Sequence, residues 1–371
     1  VNGRVPLARK NLFQDRRRAS LAVAGVAASL VLVLVLEGIF AGAMQQVSAY
    51  MRGSPADVFV AQEGVRTMHM TQSALPPSAV DAVASVEGVA WAEGLRYTNS
   101  IVDSARGQRI TYVLGYDVAT GRGGPRRLAA GQPPGPGDAL VDEAVAEELD
   151  IELGDTVTIM GTAFRVSGTS VDGTNIVNTT VYVRTEDFEQ LRGDNVAYVL
   201  VGAEPGVEPD LLARRIQTAV TGTTAQTRGE FARQEASVVR DMVADVMLIM
   251  TVIGFLTALA VIGLTLFTAT LGKLREYGIV KALGAPPGRL AATVAGQAAW
   301  SVALGLLVAV AAAAGLGAAI GALTPNVVVL IQPSAVLRTG IGAVIVGALG
   351  ALLPLRRVLR ADPATAFRRA S

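Results

Sequence analysis

Cysteine is absent from the 371 residues, and histidine occurs once, at His69. Without cysteine no disulfide framework exists, so whatever domains the chain forms are held by their apolar cores and are indifferent to redox state. One histidine and no thiol also leave no conventional zinc cluster and no Cys–His nucleophile. His69, in Arg66-Thr-Met-His-Met70, reads as an exposed loop residue. Net charge is nearly missing too: 32 basic residues against 31 acidic ones give a formal +1, which argues against a nucleic-acid partner. A phosphate-cradling loop, G-x-x-x-x-G-K-[ST], is not found either. Its nearest approach, Gly272-Lys273, is followed by Leu274 and has Phe267 in place of the first glycine, so nucleotide hydrolysis is expected on another polypeptide.

What the chain has in abundance is apolar residues, 51% of the total, and they are clustered. The runs at 21–42, 246–271, 290–323 and 339–355 approach or exceed the length that spans a hydrocarbon core of about 30 Å at roughly 1.5 Å per residue. Four transmembrane helices are predicted, at residues 20–44, 241–271 (with a stalk leading into it), 290–323 and 338–355. A cleaved signal peptide is the rival reading of the N-terminus, since Arg16–Arg18 precede an apolar run and Ala41-Gly-Ala43 has small-x-small form. The run is longer than a signal peptide's apolar region, and a spanning helix is preferred.

Orientation follows from short basic flanks. Arg9, Lys10, Arg16, Arg17 and Arg18 precede the first run, Lys273, Arg275, Lys281 and Arg289 separate the second and third, and Arg356, Arg357, Arg360, Arg368 and Arg369 follow the fourth. These clusters belong in the cytoplasm, where they also meet anionic lipid. The N-terminal segment 1–19, the loop 272–289 and the tail 356–371 are therefore expected inside, the uncharged loop 324–337 and residues 45–240 outside. The expected product is a multi-pass protein of the cytoplasmic (inner) membrane with both termini cytoplasmic.

The region 45–240 has an α+β rhythm. Strands are predicted at 57–62, 88–93, 109–116, 156–159, 164–168, 181–183 and 197–201, and helices at 78–85, 186–191 and 209–220, with 139–149 read as a strand running into a helix. The Gly/Pro-rich run 121–137 reads as an exposed loop or a seam between two β-rich subdomains. Residues 228–245 carry a polar helical pattern into the second span, which suggests one continuous stalk. The fold class expected is an α-helical membrane protein, one span followed by three, with a large two-subdomain α+β extracytoplasmic domain between the first and second.

Few residues stand out chemically. Asp142 with Glu143 and Glu147 with Glu148 are carboxylate pairs, but neighbours on a helix do not share a face, and a solvated surface is the better reading. Glu37 is an acid well inside an apolar run. It lies about 25 Å along the helix from Ser20, near the outer interface, where a role in interfacial or helix contact outweighs a mechanistic one. Gly38 and Gly42, and less persuasively Gly317 and Gly321, are spaced to let helix backbones approach.

The stretch Arg275-Glu-Tyr-Gly-Ile-Val-Lys-Ala-Leu-Gly284 joins the second and third spans. Glu276, Ile279, Val280 and Leu283 place an acid and an apolar stripe at helical spacing, and Gly284 ends the helix ahead of Pro286 and Pro287. This segment resembles the coupling segment of permeases in the MacB and FtsX superfamily. Residues 139–168 and the tail Leu359-Arg-Ala-Asp-Pro-Ala-Thr-Ala-Phe367 are similar to the same family, as is the order of one span, a large outer domain and three spans. Leu7-Ala-Arg-Lys-Asn-Leu-Phe13 with Asp57-Val-Phe-Val-Ala-Gln62 looks closest to the separate permease subunits of DevC-like, heterocyst-type exporters.

The resemblance implies a non-catalytic permease subunit that binds no cofactor itself. A cytoplasmic ABC ATPase partner would hold ATP and magnesium, and the permease would work as a homodimer or with a paralogue, with a membrane fusion or adaptor protein as a further partner. It further implies that Arg275, Glu276, Gly278, Ile279, Lys281, Leu283 and Gly284 form the ATPase-coupling site and that the outer domain moves by mechanotransmission to export or release a substrate. The alternative within the superfamily is an FtsX-like regulator that activates a cell-wall hydrolase and transports nothing.

Overall fold

The computed structural model describes residues 16–68, 70–171, 173, 179–272, 279, 281–282, 286–324 and 327–359. They fall into two compact units. One unit comprises the described residues of Val1–Ala41, Ala244–Leu323 and Val328–Ser371, and the other those of Gly42–Val243 and Thr324–Val327. Helix α1 (Arg16–Val47) passes from the first into the second.

The second unit continues with α2 (Ala49–Gly53), β1 (Val58–Gln62), α3 (Ser78–Ala84) and β2 (Val89–Ser104). There follow β3 (Gly107–Tyr116), β4 (Arg127–Gly131), β5 (Asp138–Asp142), α4 (Glu143–Glu148), β6 (Thr156–Ile159), β7 (Thr162–Val171), β8 (Thr179–Arg184) and α5 (Thr185–Arg192). The chain returns through β9 (Tyr198–Ala203), α6 (Pro209–Ala219) and β10 (Thr223–Thr227). Two layouts share the long strand β2. Its first half pairs with β9 in an antiparallel sheet of order β10-β1-β9-β2. With α3 and α6 as the crossovers, this is a split β-α-β repeated twice, the ferredoxin-like arrangement. Its second half pairs with β3, and the ladder runs β3-β8-β5-β7-β6 and back to β2, closing a ring of six strands. The barrel is thus an insertion between β2 and β9.

Strand alternation places the core. In β1, Val58 and Val60 face the cluster under α3 and α6 with Val83, Val199, Leu212 and Ile216, while Phe59 and Ala61 face the opposite cluster. There Phe59 and Tyr198 stack around Phe231, at 5.0 and 5.5 Å between ring centroids. Such pairs add about 0.5–1.5 kcal/mol each beyond their burial. The barrel is filled by Val102, Val113, Val141, Ile159, Phe164 and Val181.

The structure corrects three expectations in this domain. The run 121–137 is not loop throughout: β4 pairs there with β7. Its side chains are mostly exposed, so no alternation marked it. At Gly131, φ is 77° and an added Cβ would lie 2.3 Å from the Ser167 carbonyl oxygen, so only glycine lets the two strands meet. Strand β10, Thr-Thr-Ala-Gln-Thr, was not anticipated, because it is polar and owes its place to the pairing of Thr227 through Thr223 with β1. Asp142 is not a solvated surface carboxylate. It is buried, accepts from the Ala144 amide at 3.2 Å as the N-cap of α4, and accepts from the Gly173 amide at 2.8 Å. Orphaning a buried donor costs about 1–3 kcal/mol, which gives this carboxylate a structural role. Glu148, on the barrel surface, pairs with Arg109.

Helix α7 (Arg228–Gly272) is continuous, and α8 (Pro287–Leu323) and α9 (Pro333–Leu359) complete the other unit. Among the described residues four helices are long and apolar enough to cross a membrane: Val23–Val47, Arg240–Gly272, Pro287–Leu323 and Pro333–Leu359. Helix α9 starts at Pro333, earlier than its apolar run, because proline's fixed φ suits the first helical position. The connection expected over 324–337 is correspondingly shorter. The four helices meet at glycines. A Cβ added at Gly25 would meet Val261 at 2.4 Å, at Gly254 Val33 at 2.6 Å, at Gly305 Val26 at 2.6 Å, at Gly342 Phe255 at 2.4 Å, and at Gly347 Val302 at 2.7 Å. Lipid and side chain are equally apolar, so close packing at small residues supplies the association that hydrophobicity cannot.

Candidate transmission site

Three places in the structure hold the residues that the sequence singles out or tie the stalk to the domain. The first is the head of the stalk. Thr227 and Glu230 form a capping box: the Thr227 amide donates to Glu230 Oε2 at 3.0 Å, and the Glu230 amide to Thr227 Oγ1 at 3.3 Å. Beside it the Arg228 amide donates to the Asp57 carbonyl at 2.8 Å, and the Arg228 guanidinium to the Ser54 carbonyl at 2.9 Å. One turn further along, the buried Glu235 accepts from the Met68 amide at 2.6 Å. His69, the next residue, lies outside the described residues. The stalk is therefore fastened to the segments that enter and leave β1 by charged and backbone bonds, a link that the sequence pattern did not reveal because its partners lie some 170 residues apart.

The second place is the far end of α1. Glu37 Oε2 accepts from the Arg338 guanidinium of α9 at 3.2 Å. Arg338 went unmarked in the sequence reading, although a lone basic residue at the mouth of the fourth run needs an acid, and Glu37 is the acid nearest an interface. Gly38 does not receive another helix. Its space is filled by Val329, whose Cγ1 would lie 2.8 Å from an added Cβ, and its carbonyl accepts from the Leu330 amide at 2.9 Å. Val329 also lies against Gly317, where an added Cβ would be 3.1 Å from its Cγ1, whereas a Cβ added at Gly321 would have nothing within 4 Å. Gly42 is buried in the last turns of α1.

The third place is the segment between α7 and α8. Of the residues assigned to coupling, Arg275, Glu276, Gly278, Leu283 and Gly284 lie outside the described residues. Ile279 and Lys281 are helical, Ile279 is exposed, and Lys281 Nζ donates to the Leu359 carbonyl at 3.0 Å. Among the described residues no group of three His, Asp or Glu side chains is placed to hold a metal ion. An acid–base cluster around Glu93 is internally satisfied. Burial holds the Glu93 carboxyl above its ordinary range, while the Thr120 hydroxyl at 2.6 Å and Arg122 at 3.4 Å oppose that rise.

Two family models match the chain in succession. Residues 19–219 match the MacB-like periplasmic core domain, and residues 248–363 match the FtsX-like permease C-terminal region. The chain belongs to the MacB/FtsX superfamily of ABC transporter permeases. An uncharacterized ABC transporter permease of Mycobacterium tuberculosis is 24% identical to it over 360 residues, covering 95% of this chain and 96% of the relative. An uncharacterized ABC transporter permease of Mycobacterium bovis is 24% identical over 362 residues with the same coverage. The periplasmic region of MacB from Actinobacillus actinomycetemcomitans aligns with a TM-score of 0.38 at 13% identity, over 50% of this chain and 94% of that one. The extracellular domain of the transporter YknZ from Gram-positive bacteria aligns at 0.37 and 11% identity, over 46% and 99%. The permease is thus a multi-pass membrane subunit of an ABC transporter, with a mixed α/β extracytoplasmic domain between its first and second spans. The stalk head at Thr227–Glu235 falls between the two matched regions.

Proposed function

We propose that this permease is a mechanotransmitter: a separate cytoplasmic ATPase grips residues 275–284, and closure of that ATPase moves the extracytoplasmic domain through α7. The observation that carries the reading is the continuity of α7, 45 residues without a break, fastened at its head to the segments on both sides of β1 and leading at its foot into the coupling segment. A rigid helix transfers a tilt, where a flexible linker would absorb it. Four spans leave little room for a solute tunnel, and a substrate already outside the membrane, pushed or released by the domain, suits this layout better. The exposed apolar side chains of Met242, Val246, Ile249, Ile253 and Leu256 on α7 fit lipid or a second permease chain.

The test is nucleotide turnover. Purified alone, the chain is expected to hydrolyse no ATP above a detergent blank, and to raise or organise the activity of the ATPase that co-purifies with it. Hydrolysis by this chain alone would overturn the reading. Orientation is tested by single cysteines, which meet no background in a chain without any. Glu204→Cys, at an exposed turn, should react with an impermeant maleimide in intact cells, and Ala285→Cys only after permeabilisation. The reverse pattern would invert the topology.

A further inference from the structure

At the root of the extracytoplasmic domain lies a cavity of 290 Å³. Its walls are Tyr50 and Gly53 of α2, Ser54, the turn carrying Gly123 and Arg126, and Tyr182 of β8. The Tyr50 hydroxyl donates to the Gly123 carbonyl at 2.9 Å and pins the turn to α2, and the stem of Arg126 lies over Gly53, where an added Cβ would meet its Cδ at 2.2 Å. Glycine at 53 is therefore what lets the arginine lie along this wall.

The charge is one-sided. The turn is Gly121-Arg-Gly-Gly-Pro-Arg-Arg127, and its first arginine is consumed: Arg122 pairs with Glu93 and covers the Trp91 ring at 4.2 Å. Among the described residues no carboxylate lies within ion-pair distance of Arg126, or of the exposed Arg52 on α2, and no described carboxylate lines the cavity. A third guanidinium, that of Arg228, reaches the same wall through the Ser54 carbonyl. A half-open space with a tyrosine wall and an arginine that meets no described carboxylate is chemically a receptor for an anion, and guanidinium suits the paired oxygens of a phosphate.

Chain connectivity then selects the source of the anion. Tyr50 follows Val47, the last residue of the first span; three residues reach at most about 11 Å, so the cavity wall begins within that length of chain from the end of the membrane helix. The volume is at the lower limit for ligand pockets, enough for a polar headgroup and too small for acyl chains. We propose that this cavity binds the phosphodiester headgroup of an anionic phospholipid from the leaflet facing the domain, with Arg126 as its charge partner. The site requires only that α1 spans the membrane, and is independent of how the ATPase couples.

The test uses the full chain in neutral detergent with one introduced cysteine, Ser54→Cys, on the cavity wall. The rate at which a small methanethiosulfonate reagent labels it is followed while dihexanoyl phosphatidylglycerol, dihexanoyl phosphatidylcholine, glycerol phosphate or inorganic phosphate is added. The short-chain phosphatidylglycerol is expected to slow labelling at least fivefold, and Arg126→Gln to abolish that protection while Arg109→Gln, a charge removed from the barrel surface, keeps it. Equal protection by inorganic phosphate or glycerol phosphate would overturn the lipid source. Equal protection by the phosphatidylcholine, protection that survives Arg126→Gln, or no protection by any of the four would overturn the anion site. Val171→Cys, also on the cavity wall, is the second reporter should Ser54→Cys misfold, and is read by the same outcomes.

Discussion

Leu283→Asp should insert normally, fold its extracytoplasmic domain, and lose both co-purification with the ATPase and all ATP-dependent function. The expectation rests on the stripe of Ile279, Val280 and Leu283, which helical spacing puts on one side of a segment whose described residues, Ile279 and Lys281 among them, are helical. A carboxylate forced into an apolar groove without a partner must be desolvated or protonated. A cost of about 3 kcal/mol lowers affinity more than a hundredfold. Leu153→Asp is the control: Leu153 is half-exposed on the barrel side of the chain, and an added charge there should leave the ATPase untouched. Normal ATPase binding and activation by Leu283→Asp would reduce the segment to an ordinary basic loop and remove the basis of the transmission reading.

Much of the architecture was legible because membrane helices and half-buried strands write themselves in period and length. The alternation in Asp57-Val-Phe-Val-Ala-Gln62 forecast a strand, and the strand found has apolar clusters on both faces. The polar pattern after Arg228 forecast a stalk continuous with the second span, and α7 is that helix. What stayed hidden depended on partners far away in the chain. Strand β10 is polar and is a strand only because β1 lies beside it. Ring closure needs Val102 to meet Ile159 and β5 to lie parallel to β7, pairings that no local pattern encodes. Charge behaved likewise. Glu37 was visible as an acid near an interface, but its meaning lay in Arg338, three hundred residues on. Lys281 was visible as part of a basic cluster, but its bond to the Leu359 carbonyl ties the segment between α7 and α8 to α9. Electrostatic partners obey proximity in space, and a one-dimensional reading finds only the half of each pair that is locally odd.

The glycine spacing misled for a related reason, and the point can be measured. A four-residue interval identifies glycines on one helix face without saying whether another backbone is there. Gly317 and Gly321 share that interval, yet Gly321 faces open space and Gly317 takes the Val329 side chain. Gly350 has no glycine four residues away, yet there the backbone of α9 approaches the backbone of α7: an added Cβ would lie 3.0 Å from Ile262 Cγ2 and 3.3 Å from the backbone nitrogen of Gly263. The side chain of Ile262 can yield a little, but the backbone nitrogen cannot move without the helix. Gly350→Leu is therefore expected to force the two helices apart, at a cost of at least the roughly 1–3 kcal/mol typical of overpacking, and to lose the Val302–Gly347 contact one turn away. Measured as loss of monodisperse protein on heating in detergent, Gly350→Leu should fall well below wild type, Gly350→Ala should lie between, and Gly321→Leu should match wild type. If Gly321→Leu were the more damaging of the two leucine variants, the helix contacts described for α7 and α9 would be wrong.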